Sequence, residues 1–167
     1  MFAVWLLFQK YDHDYLYQII KDLSRKYNSP IFIPHITVYG LVETNFDNIE
    51  NAVLESVKGV QSFEVEKTKI SYSDNLWKTF FIELKHVTGL KTVNKKLENF
   101  LSKYAKYEFS PHISLIYKII KEEEKISLAN ELSIKNRFMI SKIGIQKFSE
   151  KISEWQIVKE YELGTSH

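Results

Sequence analysis

The 167-residue chain has no cysteine, only three prolines, five glycines and two methionines. Without cysteine there is no disulfide, no thiolate zinc ligand and no thiol nucleophile, and the composition suits a reducing compartment. Scarce proline and glycine leave no low-complexity linker. Neither sign of charge is in excess: 23 basic against 21 acidic side chains give a net +2, too weak a field to hold duplex nucleic acid by electrostatics alone. Long hydrophobic runs are also lacking. The apolar start, residues 2–8, is far shorter than a membrane span and has neither the basic lead nor the small-residue cleavage site of a secretion signal. These absences predict a cytoplasmic monomer that binds neither membrane nor duplex nucleic acid.

What is present in quantity is aromatic: ten Tyr, eleven Phe and three Trp within a chain that is 44% apolar and 26% charged. That is the composition of a folded globular protein, and the length fits one domain with a sizeable core. We assign residues 1–163 to that domain and 164–167 to an unstructured C-terminal tail.

Residues 2–8 are aromatic and β-branched enough for a buried central strand. Residues 12–27 carry Leu16, Ile19, Ile20, Leu23 and Tyr27 at helical spacing, with Asp12 or Asp14 as cap, and Asn28-Ser29-Pro30 stops the helix. A strand over 31–40 and a helix over 46–57, capped by Thr44 or Asn45, follow. Residues 61–72 and 77–85 predict a hairpin in which Phe80, Ile82 and Leu84 share a face. Leu90, Val93, Leu97, Phe100, Leu101 and Tyr104 form the clearest helical stripe. Next come a strand over 112–119, a polar helix over 121–132 and strands over 137–148 and 154–163. Interleaved helices and strands with hairpin links predict an antiparallel α+β fold rather than a doubly wound parallel sheet.

One short string occurs twice. Pro34-His35-Ile36-Thr37-Val38 is echoed 77 positions later by Pro111-His112-Ile113-Ser114-Leu115. Side chains two apart on a strand share a face, so His35 with Thr37, and His112 with Ser114, point one way while the aliphatics pin each strand to the core. The repeat predicts a duplicated, two-lobed unit whose motifs meet across a cleft. Histidine titrates near neutrality, so one copy can accept a proton while the other donates one. The hydroxyls of Thr37 and Ser114 can hold the oxygens of a phosphate as negative charge builds on them. That division of labour suits the opening of a cyclic phosphodiester without a metal or other cofactor.

At these residues the chain resembles the 2H phosphoesterase superfamily (2′-5′ RNA ligase-like fold), named for two His-x-Thr/Ser motifs in a duplicated α+β fold. Through Phe32-Ile33-Pro34-His35-Ile36-Thr37-Val38 and Ser110-Pro111-His112-Ile113-Ser114-Leu115-Ile116-Tyr117 it is most similar to the plant and yeast type of cyclic phosphodiesterase. Ser153-Glu154-Trp155 resembles that family's terminal strand. The resemblance implies antiparallel sheets lining a central cleft with helices outside. It also implies metal-independent hydrolysis of nucleoside 2′,3′-cyclic phosphates or ADP-ribose 1″,2″-cyclic phosphate, leaving the phosphate on the 2′ (or 1″) oxygen. His35 and His112 would be catalytic, Thr37 and Ser114 would bind the phosphate, and Tyr117 would lie beside the substrate.

The residues also have plainer readings. On a regular strand Tyr117 falls on the face opposite His112, toward the core; a bulge, a twist or the strand's end would be needed to bring it to the cleft. Trp5, Trp77, Phe80 and Trp155 could stack a base, although strand aromatics usually fill cores. His13 and His86 lack an echo and read as surface residues, and the charged run 121–125 reads as a solvated helical turn. A zinc or iron site would need a third ligand that the motifs do not supply. Two rival functions share the fold: an enzyme of 2′,3′-cyclic or 2′-5′ linked RNA ends, with a short RNA end as partner, and a nucleotide-binding or RNA-binding module without turnover.

Overall fold

The structure, a computed structural model, describes residues 1–164; the remainder of the expected tail, 165–167, lies outside the described residues. Strand β1 (Phe2–Phe8) leads into helix α1 (Lys10–Tyr27), strand β2 (Ile36–Val42) and helix α2 (Phe46–Val57). Strands β3 (Phe63–Tyr72) and β4 (Phe80–Leu84), helix α3 (Thr88–Leu101) and strand β5 (His112–Ile116) follow. Helix α4 (Glu122–Glu131) and strands β6 (Arg137–Lys147) and β7 (Gln156–Glu162) complete the order. All strand pairings are antiparallel, in the order β2-β1-β6-β3-β4-β5, with β7 also on β6. This is the α+β class that the alternation of elements predicts.

One strand joins the two lobes. The first half of β6 pairs with β3 through Phe63↔Ile140 to Glu66↔Arg137, and its second half pairs with β7 from Lys142 to Lys147. Beyond Glu66, β3 leaves β6 and pairs with β4. One lobe is therefore β2-β1-β6-β7 and the other β3-β4-β5. The motif strands β2 and β5 terminate opposite ends of the pairing order yet touch one another, so the sheet curls until its ends meet. Each lobe's helix also reaches the other lobe's motif strand, α1 against β5 and α3 against β2, where Asn94 donates its amide to the Val38 carbonyl at 2.9 Å.

The curl follows from which face each strand buries. Val4, Leu6 and Phe8 of β1 join the main core with Leu16, Ile20 and Leu23 of α1 and Leu90, Val93, Leu97 and Leu101 of α3. Ala3, Trp5 and Leu7 bury the other face. A central strand covered on both sides is what its unbroken apolar run predicts. Fully burying each such aliphatic side chain contributes about 1.5–3 kcal/mol, so the core holds both lobes in place.

Several sequence-based expectations change. Helix α1 starts two residues before the expected start, with Gln9 at its N-cap position. Asp12 is not a cap: it is buried, accepts the Met139 backbone N–H at 2.6 Å and pairs with Lys135. Residues 31–35 are irregular and β2 begins only at Ile36. Asn45 does cap α2, accepting from the Asn48 N–H at 2.9 Å. Phe100 and Tyr104, read as part of the α3 stripe, are exposed: Phe100 lies off the buried Leu90, Val93, Leu97 and Leu101 face, and Tyr104 lies beyond the helix, which stops at Leu101. In the charged run 121–125, Lys125 is not solvated. It is only 3% exposed, and its ammonium donates to the Ser73 carbonyl at 2.8 Å and to Asp74 at 3.2 Å. Lys125 thereby ties α4 to the β3–β4 connection, which carries Trp77 and Lys78 on a short 3₁₀ turn, Leu76–Lys78. Gly164 continues the chain's pairing, bridging to Gln61.

Candidate active site

Where the curled sheet closes, a cavity of about 270 Å³ opens among Trp5, His35, Thr37, Tyr107, His112 and Tyr117. Strand register explains the gathering. Trp5 stands opposite Thr37 on β2 and opposite Gly144 on β6, while Ala3 stands opposite Gln146, so these positions share the face that looks into the cavity. In the other lobe His112 stands opposite Glu83 and Ser114 opposite Phe81.

Both imidazoles are held by the same device. His35 Nδ1 lies 2.7 Å from the Ile33 carbonyl, and His112 Nδ1 lies 2.7 Å from the Ser110 carbonyl. A carbonyl only accepts, so each Nδ1 must carry the hydrogen; the neutral rings therefore present a bare Nε2 to the cavity. Pro34 and Pro111 stand between the histidine and its carbonyl partner in each copy. Their fixed backbone angle helps turn that carbonyl back toward the ring.

The surroundings of the two rings differ. His35 is 4% exposed, lies flat on Trp5 and meets Phe32 and Trp155 edge-on. Burial pushes its pKa down to about 3, against the favourable pull of the Ile33 carbonyl and helped by the charge His112 can carry. His112 is half-buried with Phe81 against it edge-on. Its pKa is lowered too, by burial first and then by Lys78, with the Ser110 carbonyl opposing.

Of the hydroxyls, Thr37 lines the cavity, and its backbone carbonyl accepts the Tyr107 hydroxyl at 3.2 Å. Ser114 is 3% exposed, and its Oγ is buried without a partner meeting hydrogen-bond geometry. Tyr117 lies beside it: burial raises the phenol to about 12, the neighbouring Ser114 hydroxyl pulling it down and Tyr107 pushing it further up. Strand β5 ends at Ile116, so Tyr117 leaves the ladder and turns into the cavity, in contact with Phe32, Trp77 and Trp155. The strand's end supplies what regular alternation denies. Trp77 and Trp155 lie nearly parallel, 23° apart, on the cavity wall.

A family model described as cyclic phosphodiesterase-like protein matches residues 1–163. The chain belongs to that family. This places it in the 2H phosphoesterase superfamily, as its paired motifs imply. The cyclic phosphodiesterase of Arabidopsis thaliana is 20% identical over 125 residues, 75% of this chain and 69% of that one. Among solved structures, TT0787 of Thermus thermophilus superposes with a TM-score of 0.65 at 12% identity, covering 99% of both chains. Escherichia coli LigT in complex with 3′-AMP gives 0.63 at 12% identity, covering 97% of both. At such identities the structural likeness speaks for the fold, a two-lobed antiparallel α+β arrangement.

On this cyclic phosphodiesterase-like scaffold, four of the five site residues expected from sequence line the cavity, and Ser114 is buried beside it. Phe80 is fully buried in the core, whereas Trp5, Trp77 and Trp155 all reach the cavity. His86 is exposed; His13 is half-buried, in a separate groove beside Lys142 and Glu160. Tyr107, Gln146 and Phe148 also line the cavity and are not evident from sequence. Gln146 is a polar residue only 1% exposed, next to the apolar run Ile143-Gly144-Ile145 of β6. Tyr107 sits in irregular chain after α3, where no periodicity marks it. Among the described residues no cluster of three or more His, Cys, Asp or Glu is arranged to hold a metal ion. The described helices include none long and apolar enough to cross a membrane.

Proposed function

We propose that the protein hydrolyses cyclic phosphodiesters of nucleotides, nucleoside 2′,3′-cyclic phosphates or ADP-ribose 1″,2″-cyclic phosphate, by general acid–base catalysis from His35 and His112. The observation that carries this reading is the pair of imidazoles on one cavity, each with Nδ1–H committed to the backbone and Nε2 free. The reaction needs one proton removed and one supplied, and two such nitrogens provide both without a metal.

The deeper ring suits the accepting role. Burial keeps His35 neutral and its Nε2 lone pair free; that nitrogen takes a proton from water as the water oxygen bonds to phosphorus, and the negative charge gathering on the phosphate offsets the cost of the buried imidazolium. The half-buried His112, charged once the phosphate anion is beside it, gives its Nε2 proton to the departing ring oxygen as the P–O bond breaks. One water is consumed and one ring hydroxyl is freed, the phosphate staying on the 2′ (or 1″) oxygen; proton exchange with solvent resets both rings. Thr37 offers its hydroxyl to the non-bridging oxygens from the cavity wall, and Ser114, buried beside the cavity next to Tyr117, turns its hydroxyl to them when the phosphate is bound. Tyr117 and the Trp77–Trp155 pair offer aromatic faces to sugar and base.

The cavity of about 270 Å³ sits at the small end for ligand pockets, which favours a single nucleotide end over a nucleic-acid tract. The LigT complex with 3′-AMP is in keeping with that size of ligand. The test is turnover of a 2′,3′-cyclic nucleotide in excess EDTA, followed by phosphorus NMR. One 2′-phosphomonoester is expected. Activity abolished by the chelator and restored by a divalent cation would overturn the metal-free mechanism, and binding without conversion would favour a nucleotide-binding module. Comparison of ADP-ribose cyclic phosphate, nucleoside cyclic phosphates and a short RNA with a cyclic end identifies the preferred substrate.

A further inference from the structure

The two motif copies hold their imidazoles alike, but among the described residues only one has a cation behind it. Ser110 acts twice: its backbone carbonyl accepts His112 Nδ1–H at 2.7 Å, and its Oγ accepts from Lys78 Nζ at 3.1 Å. Lys78 closes the 3₁₀ turn that also presents Trp77, and its ammonium rests over the Phe81 ring, 4.7 Å from the centroid. That ring in turn meets His112 edge-on at 5.4 Å. Among the described residues Lys78 forms no ion pair. At the matching place behind His35 stands Ile33, which has no side-chain acceptor, and the ring is backed by Trp5 instead.

We propose that Lys78, anchored through Ser110, is a positioning residue for His112 that ties the imidazole's proton uptake to the arrival of an anionic substrate. Two effects make the coupling. The Ser110 hydroxyl bond steadies the residue whose carbonyl orients the ring, and the nearby ammonium disfavours a second positive charge on His112. A phosphate placed in the cavity offsets the ammonium and favours the imidazolium, so the proton donor is loaded where and when it is needed. The other titratable groups facing His112 are Glu83 across the ladder and, within the cavity, His35, Tyr107 and Tyr117. Glu83 makes no ion pair with Lys78. This extends the reading of His112 as proton donor, but its first readout does not depend on activity.

The experiment is NMR titration of the two imidazoles in the wild type, Lys78→Met, Lys78→Arg and Ser110→Ala, each with and without inorganic phosphate as probe. With a half-buried, partly screened pair, Lys78→Met is expected to raise the His112 midpoint by about half to one pH unit, with His35 unmoved and Lys78→Arg close to wild type. Ser110→Ala should shift it in the same direction by less. Phosphate should raise the wild-type midpoint more than that of Lys78→Met. An unmoved His112 midpoint, equal shifts in Met and Arg variants, or equal shifts at His35 would overturn the proposal. Where the protein turns over a cyclic phosphate, the alkaline limb of kcat/KM should move upward with the His112 midpoint, since a proton donor is lost as pH rises through its pKa. If it turns over none, the titration still decides the role of Lys78 while the functional reading fails separately.

Discussion

The imidazole of His35 lies flat on the indole of Trp5, ring centroids 3.6 Å apart and planes 10° from parallel. The stack closes one face of the ring to water, and with Phe32 and Trp155 at its edges the histidine is held where a positive charge is poorly solvated.

Such burial has a signature in stability. The folded-state pKa of His35 is about 3 against 6.5 unfolded, so between these values the unfolded chain binds more protons and stability falls as pH falls. The contribution is fully present above pH 6.5 and is lost progressively below it. Denaturant unfolding at about pH 7 and about pH 4 should show wild type losing on the order of 2 kcal/mol more than His35→Gln across that interval. Equal losses would show that His35 is not the group responsible.

His35→Ala and His112→Ala should each reduce kcat by about 10²–10⁴, with the double variant little worse than either single one, because the two imidazoles act on one reaction as a unit. Steady-state assays on a cyclic nucleotide decide it. Near-normal turnover in either single variant would refute the assignment.

The division into acceptor and donor can be read with a substrate whose departing ring oxygen is replaced by sulfur. A thiolate leaves without protonation, so His112→Ala should recover most of its lost rate on that substrate while His35→Ala should not. The reverse pattern would exchange the roles.

Ser114→Ala should separate activity from stability. Its Oγ is buried without a partner, so removing it costs the fold little or nothing, while losing a donor to the charge that builds on phosphate should cost on the order of tenfold to a thousandfold in kcat. Melting temperature and kcat measured on one preparation test both halves. A marked drop in melting temperature would show that the hydroxyl supports the fold instead.

Much of this architecture is legible in the residues because periodicity reports burial. The run Phe2–Phe8 and the stripes of α1 and α3 lie where their spacing puts them, and the Pro-His-Ile-[Ser/Thr] echo marks both walls of the cavity. What escapes periodicity depends on where ladders end or slip. Tyr117 reaches the cavity because β5 stops one residue earlier, and in β6 the buried apolar positions change from Phe138 and Ile140 to Ile143 and Ile145 across a register shift. That slip turns Gln146 away from the main core onto the cavity face. Asp12 and Lys125 look like helix-surface charges until the partners that bury them, Met139 and Lys135 for one and Ser73 and Asp74 for the other, arrive from distant parts of the chain.

Because the group that fixes each imidazole is a main-chain carbonyl, the direction of both rings is inherited from the path of the backbone, to which the Ser110 side chain adds only its tether to Lys78. Substitution at those two positions can retune the electrostatics of a histidine without turning it. The scaffold thereby separates aim from reactivity: the direction of proton transfer is built into the chain trace, while its pH dependence is left to the neighbours.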